Sequence, residues 1–74
     1  MVISVDVVGN NIRYYRLKKG LSQSDLALLI GVSKNTISSF ERSEFIPSLD
    51  HTLSLCHVFN CPVEKLFNIV YKVL

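Results

Sequence analysis

Cysteine is scarce: Cys56 and Cys61 are the only two in 74 residues. A small secreted fold stapled by disulfides normally carries four or more, so the plain reading is two free thiols in an apolar setting, with one short Cys56–Cys61 link as the alternative. Long apolar runs are missing too. The longest, Leu26 to Val32, is broken by Gly31 and falls far short of the roughly 20 residues a bilayer span requires, which leaves no membrane partner to expect. The start, Met1-Val2-Ile3-Ser4-Val5-Asp6, lacks the basic segment and small-residue cleavage site of a secretory signal, so a cytoplasmic location is expected.

Metal and catalytic patterns are absent as well. Cys56, His57, Cys61 and His51 show no Cys-x2-Cys or His-x3-His spacing, and Cys56 falls on an apolar helical stripe, so no metal is expected. No glycine-rich phosphate loop, nucleophile elbow or carboxylate pair occurs. No enzyme activity, cofactor or small-molecule ligand is therefore expected.

What is present is apolar and short. Seventy-four residues suit one domain, 1–74. The composition is 49% hydrophobic and 19% charged, with mean hydropathy +0.33, which excludes intrinsic disorder. That is more apolar than one small core needs, and a self-association surface is the natural inference. The formal net charge of +2 says less than its distribution. From Ile12 to Arg42, Arg13, Arg16, Lys18, Lys19, Lys34 and Arg42 oppose Asp25 and Glu41. Beyond Ser43, Lys65 and Lys72 meet Glu44, Asp50 and Glu64. A basic region beside a near-neutral one suits either a polyanion-binding face or a solvated helix face.

Punctuation residues divide the chain into five helices. Asp6 can cap a first helix carrying Val8, Ile12 and Tyr15 and stopped at Gly20. Ser22 and Asp25 have the capping-box spacing ahead of Leu26, Ala27, Leu29 and Ile30. Gly31 ends that helix, and Ser33 can cap a third, about 33–42, that buries Ile37 and Phe40. Ser43 to Pro47 reads as a loop. Ser48 opens a fourth helix whose stripe is Leu49, Leu53 and Cys56, flanked by Leu55 and Phe59, with Asn60 as the stop. Pro62 fits the first position of a short fifth helix holding Val63, Leu66 and Phe67. The β-branched and aromatic ends, about 2–5 and 69–73, read as strands that pair with each other; fraying termini are the alternative.

The third helix carries the chemistry. Opposite its Ile37–Phe40 edge lie Asn35, Ser38, Ser39 and Arg42, with Lys34 at the margin. Asn reads adenine bidentately, Lys reaches guanine, Ser bonds several base edges, and the Thr36 methyl suits a thymine methyl. An ordinary wet helix face is the alternative.

The stretch Gln23 to Arg42, with small Ala27 and turning Gly31 between Leu26, Val32, Ile37 and Phe40, resembles the helix-turn-helix of the Cro and phage-lambda-repressor-like family, also called the xenobiotic-response-element family. Ile12-Arg13-Tyr14-Tyr15-Arg16, Gly20-Leu21-Ser22-Gln23, Glu41-Arg42, Pro47-Ser48-Leu49 and Val63 to Phe67 extend the likeness over about 7–67. It departs at Ser43, where the family commonly has Gly or Asn. The resemblance implies an all-α, five-helix DNA-binding domain, here extended by an antiparallel two-stranded β-ribbon from the two ends. It also places Arg16 and Glu41 together, and a structural ion pair is expected there; two independent surface charges are the alternative.

The expected function is that of a sequence-specific regulator of transcription binding a double-stranded DNA operator. Lys34, Asn35, Thr36, Ser38 and Ser39 would meet bases, and Ser22, Gln23, Ser24, Ser33 and Arg42 would meet phosphates. One such helix reads too few base pairs to select a site, so a homodimer on a palindrome is expected, its surface drawn from Phe45, helices 4 and 5 and the apolar ends. With no separate effector segment, promoter occlusion, hence repression, is the expected mode. A protein-interaction module such as an antitoxin or adaptor is the alternative.

Overall fold

The computed structural model describes residues 1–74 as β1 (Ile3–Asn10), α1 (Ile12–Lys18), α2 (Gln23–Ile30), α3 (Lys34–Glu41), α4 (Leu49–Phe59), α5 (Val63–Leu66) and β2 (Phe67–Val73). The helices enclose one core in which Ile12, Leu26, Ile37, Phe40, Leu55 and Leu66 are fully buried. The two strands pair antiparallel.

Local chemistry sets the helix boundaries. At α2 the Ser22 Oγ accepts from the Asp25 amide at 3.0 Å while the Asp25 carboxylate accepts from the Ser22 amide at 2.9 Å. This reciprocal box satisfies two amides that the helix itself leaves unpaired. At α3 the Ser33 Oγ accepts from the Thr36 amide at 3.1 Å. The exits of α1 to α4 share another device: Gly20, Gly31, Ser43 and Asn60 all have positive φ. After each, the next amide bonds to a carbonyl five residues back: Leu21 to Arg16, Val32 to Ala27 and Glu44 to Ser39 at 3.0 Å, and Cys61 to Cys56 at 3.1 Å. Such a stop satisfies the last carbonyls and reverses the chain within three residues. Gly20 and Gly31 reach this region without strain, whereas Ser43 carries a Cβ there.

Several boundaries differ from the sequence reading. Asp6 does not cap α1, and Val8 is not helical; both lie in β1. Strand pairing from Ile3↔Val73 to Asn10↔Phe67 claims these residues, and α1 starts beyond them, where the Asn10 Oδ1 accepts from the Ile12 amide at 3.1 Å. The strands are accordingly longer than 2–5 and 69–73. Pro62 sits at the cap position rather than inside α5, and Phe67 leaves that helix to begin β2.

The buried face of α4 also differs. Leu49 and Leu53 are 74% and 54% exposed, whereas the expected Leu55, Phe59 and Cys56 do pack on the core, joined by Thr52. Helix 4 has two candidate stripes about one residue apart. A threonine can occupy the inner one because its hydroxyl donates to the Pro47 carbonyl at 3.4 Å, so no polar group is left unpaired.

Candidate nucleic-acid interface

α3 is seated by Ile37 and Phe40, which are 0% and 1% exposed. Three residues, Gly31-Val32-Ser33, join it to α2, whose Leu26, Ala27 and Ile30 belong to the same core. The rest of α3 is polar. Lys34, Asn35 and Arg42 are exposed, and Thr36, Ser38 and Ser39 are half-buried. The helix thus offers a short polar face fixed from behind by apolar packing.

Several of these polar groups are already engaged. The Thr36 and Ser33 hydroxyls bond each other at 2.9 Å, in addition to the cap, so what Thr36 freely offers is its methyl. Arg42 follows the last turn of α3 and donates through Nη1 to the Ser38 Oγ. Its Nε and Nη2 donate to the Glu44 carboxylate at 3.0 and 3.2 Å. Those bonds from Arg42, joined by one from Ser39, hold the Glu44 carboxyl below its ordinary range. Two of the five guanidinium N–H donors stay free, so Arg42 can meet a further anion while paired with Glu44. Lys34 and Asn35 stand outside this web.

Behind the helix lies a closed ionic network. The Arg16 Nε donates to the Glu41 Oε2 at 2.7 Å and its Nη2 to Oε1 at 3.2 Å. The Arg16 Nη1 donates to the Leu21 carbonyl at 2.9 Å. Gln23 completes the set, its Nε2 donating to the Glu41 Oε1 at 3.1 Å. The two charged side chains are 9% and 6% exposed. One carboxylate thus links α1, the start of α2 and the end of α3, and every buried polar side-chain atom has a partner.

An open, wholly polar concavity lies beside this network, lined by Arg13, Arg16, Gln23, Ser38, Glu41 and Arg42. Arg13 is the residue that the sequence reading left out of the site. It lies one helical turn before Arg16, and that spacing, with its place in the basic stretch, was the available signal. At the start of α2, the Gln23 and Ser24 amides belong to the first-turn donors that no helix satisfies internally. Ser22 is occupied by its cap, and the Asp25 carboxylate stands beside it, held below its ordinary value by bonds from the Ser22 amide and hydroxyl.

No group of three or more His, Cys, Asp or Glu side chains is arranged to hold a metal. Cys56 and Cys61 are half-buried free thiols, and burial pushes both upward, which keeps them protonated at neutral pH. No helix is long and apolar enough to cross a membrane.

Comparison with known proteins gives the same outline. A helix-turn-helix family model matches residues 12–66. An uncharacterised HTH-type transcriptional regulator of Methanocaldococcus jannaschii is 36% identical over 58 residues, covering 78% of this chain and 88% of the relative. The c2 repressor of Salmonella phage P22, solved with a synthetic operator, superposes with a TM-score of 0.76 at 33% identity, covering 85% of this chain and 96% of that one. The biofilm regulator SinR in complex with DNA gives a TM-score of 0.65 at 36% identity, covering 73% and 87%.

Proposed function

The chain belongs to the helix-turn-helix family of Cro and phage repressors, and from that premise we propose that it represses transcription by binding a palindromic operator as a homodimer, α3 lying in the major groove. The family is one of DNA-binding regulators rather than enzymes. The observation that carries the proposal is the exposed polar face of α3 on a fully buried Ile37–Phe40 seat. A helix held this rigidly presents side chains at fixed positions, which base-edge hydrogen bonding requires.

In this reading Asn35 and Lys34 enter the groove first, Asn35 on an adenine edge and Lys34 on a guanine edge. Ser38 and Ser39 follow one turn later, and the Thr36 methyl packs on a thymine. Phosphates on one side meet the Gln23 and Ser24 amides and the hydroxyls of Ser24 and Ser33, while Ser22, engaged in its cap, sets the start of α2 rather than meeting a phosphate itself. Arg42 and Arg13 hold the backbone on the other side. Two copies on half-sites about 34 Å apart then read enough base pairs to select a site. Repression follows from occupancy: a dimer seated on a promoter excludes the polymerase. The P22 c2 repressor and SinR supply the precedents for DNA engagement.

Selection of bound duplexes from a random pool tests the proposal. A recovered inverted repeat with half-site centres about 10 base pairs apart is the expected result. Recovery of no enriched motif, with salt-insensitive retention of all duplexes or of none, would favour a protein-interaction module instead.

A further inference from the structure

One side of the β-ribbon is apolar at every rung, whereas the other mixes Val2, Val70 and Leu74 with Ser4, Asp6 and Lys72; the wholly apolar side runs past the helices. Directly opposed residues of an antiparallel pair share a face. The rungs Ile3↔Val73, Val5↔Tyr71 and Val7↔Ile69 therefore form one face, and Ser4↔Lys72 and Asp6↔Val70 the other. On the second face Lys72 and Asp6 approach to 3.8 Å. The first face is apolar throughout. Its inner rung, Val7 and Ile69, packs on the core. Its outer rungs do not: Val5 and Tyr71 are 55% and 63% exposed, and Ile3 and Val73 are similarly open.

The patch continues at the root of the ribbon. Phe45 and Ile46, both more than half exposed, line a small cleft together with Val7 and Phe67. Phe45 is held there by an edge-on contact to the buried Phe40 ring at 5.2 Å.

We propose that this face, Ile3, Val5, Tyr71 and Val73 with Phe45 and Ile46, is the seam along which a second copy of the chain packs. The assignment rests on the homodimer reading above and deepens it by choosing among the available apolar surfaces. Area and shape favour this surface. Six side chains exposed to this degree present on the order of 700 Å², close to the roughly 800 Å² that each partner buries in a stable interface and above the largest apolar patch of a typical monomer. The molecule measures 43 × 21 × 18 Å, and an extended arm with one apolar face gains most by meeting its own twofold copy. A two-stranded ribbon is itself marginal in water, so covering its outer rungs adds stability.

Sedimentation of wild type, Val5→Lys/Tyr71→Glu and Ile46→Lys tests the seam. The paired charges in the first variant oppose each other across one rung and so preserve the ribbon while removing its apolar face. Ile46→Lys leaves strand pairing untouched. Wild type is expected to sediment as a dimer and both variants as folded monomers by circular dichroism. Both variants should bind a single half-site within about twofold of wild type while losing about a hundredfold on the palindrome, since the second half-site is then no longer tethered. Dimers that persist in both variants, a wild type that stays monomeric at high micromolar concentration, or monomers produced instead by Leu49→Glu/Leu53→Lys would overturn the seam. A ribbon-dependent dimer that binds no duplex would leave the seam standing and remove the DNA reading.

Discussion

Glu41 accepts three hydrogen bonds, two from Arg16 and one from Gln23, so the carboxylate ending α3 is held by α1 and by the start of α2 together. Breaking the pair at one end strands a buried charge. Arg16→Ala is expected to cost about 3 kcal/mol. In a domain this small that lowers the thermal midpoint by roughly 10 °C or more. Affinity for operator DNA should fall in parallel, because α3 loses its brace. Calorimetry on Arg16→Ala and on Arg16→Met/Glu41→Leu checks this, the double variant recovering much of the loss. An unchanged midpoint in Arg16→Ala would mean two independent charges.

Ser43 has φ 58°, the only helix exit in this chain where a residue other than Gly or Asn takes the left-handed region. Ser43→Gly should therefore stabilise the fold by about 1 kcal/mol, raising the midpoint by roughly 4 to 8 °C. The loss of the 3.2 Å bond from the Asn10 Nδ2 to the Ser43 hydroxyl offsets part of this, and the remaining bond from the Asn10 Nδ2 to the Phe40 carbonyl at 2.8 Å should hold β1 in place. Thermal melts of the two proteins decide it.

Acid should weaken the molecule at the starts of its helices. Bonds from Ser22 hold Asp25 low, and a bond from Ser48 does the same for Asp50. A carboxylate whose folded pKa is depressed contributes stability that is full above its unfolded pKa and disappears as pH falls through the folded one. Stability is thus expected to be full above about pH 4 and to decline below it as the two carboxylates protonate. Asp25→Asn should flatten that part of a circular-dichroism titration. A curve identical to wild type would remove Asp25 from the account.

Arg42 is bound to Glu44 in the free protein. Glu44→Gln removes the competing anion and is expected to tighten operator binding severalfold, chiefly at low salt, where one more phosphate contact counts most. Fluorescence anisotropy at two salt concentrations checks it; weaker binding would show that Glu44 positions Arg42 rather than occupying it.

How much of this could be read from the residues follows from the range of each interaction. Ser22, Gly31 and Ser33 act within four residues of themselves, and the α2–α3 unit they delimit was legible. Asp6 before an apolar period looks like a cap, and only pairing with residues 67–73, some sixty positions away, makes it a strand residue. The face of α4 was hidden because Thr52 is acceptable inside only when the Pro47 carbonyl waits for it. At the site, the exposure of Lys34 and Asn35 follows from the helical period. The tie between Arg42 and Glu44 does not, since it depends on Ser43 turning left-handed and folding Glu44 back against the helix.

The most direct test of the central claim compares wild type, Asn35→Ala and Arg42→Ala on the selected operator and on versions changed at single base pairs, across a range of salt. Asn35→Ala is expected to lose about 1–3 kcal/mol of discrimination at one base-pair position with the salt slope unchanged, while Arg42→Ala weakens all duplexes alike and lowers the slope by about one. Asn35→Ala binding every duplex with wild-type preference would contradict the placement of α3 in the groove.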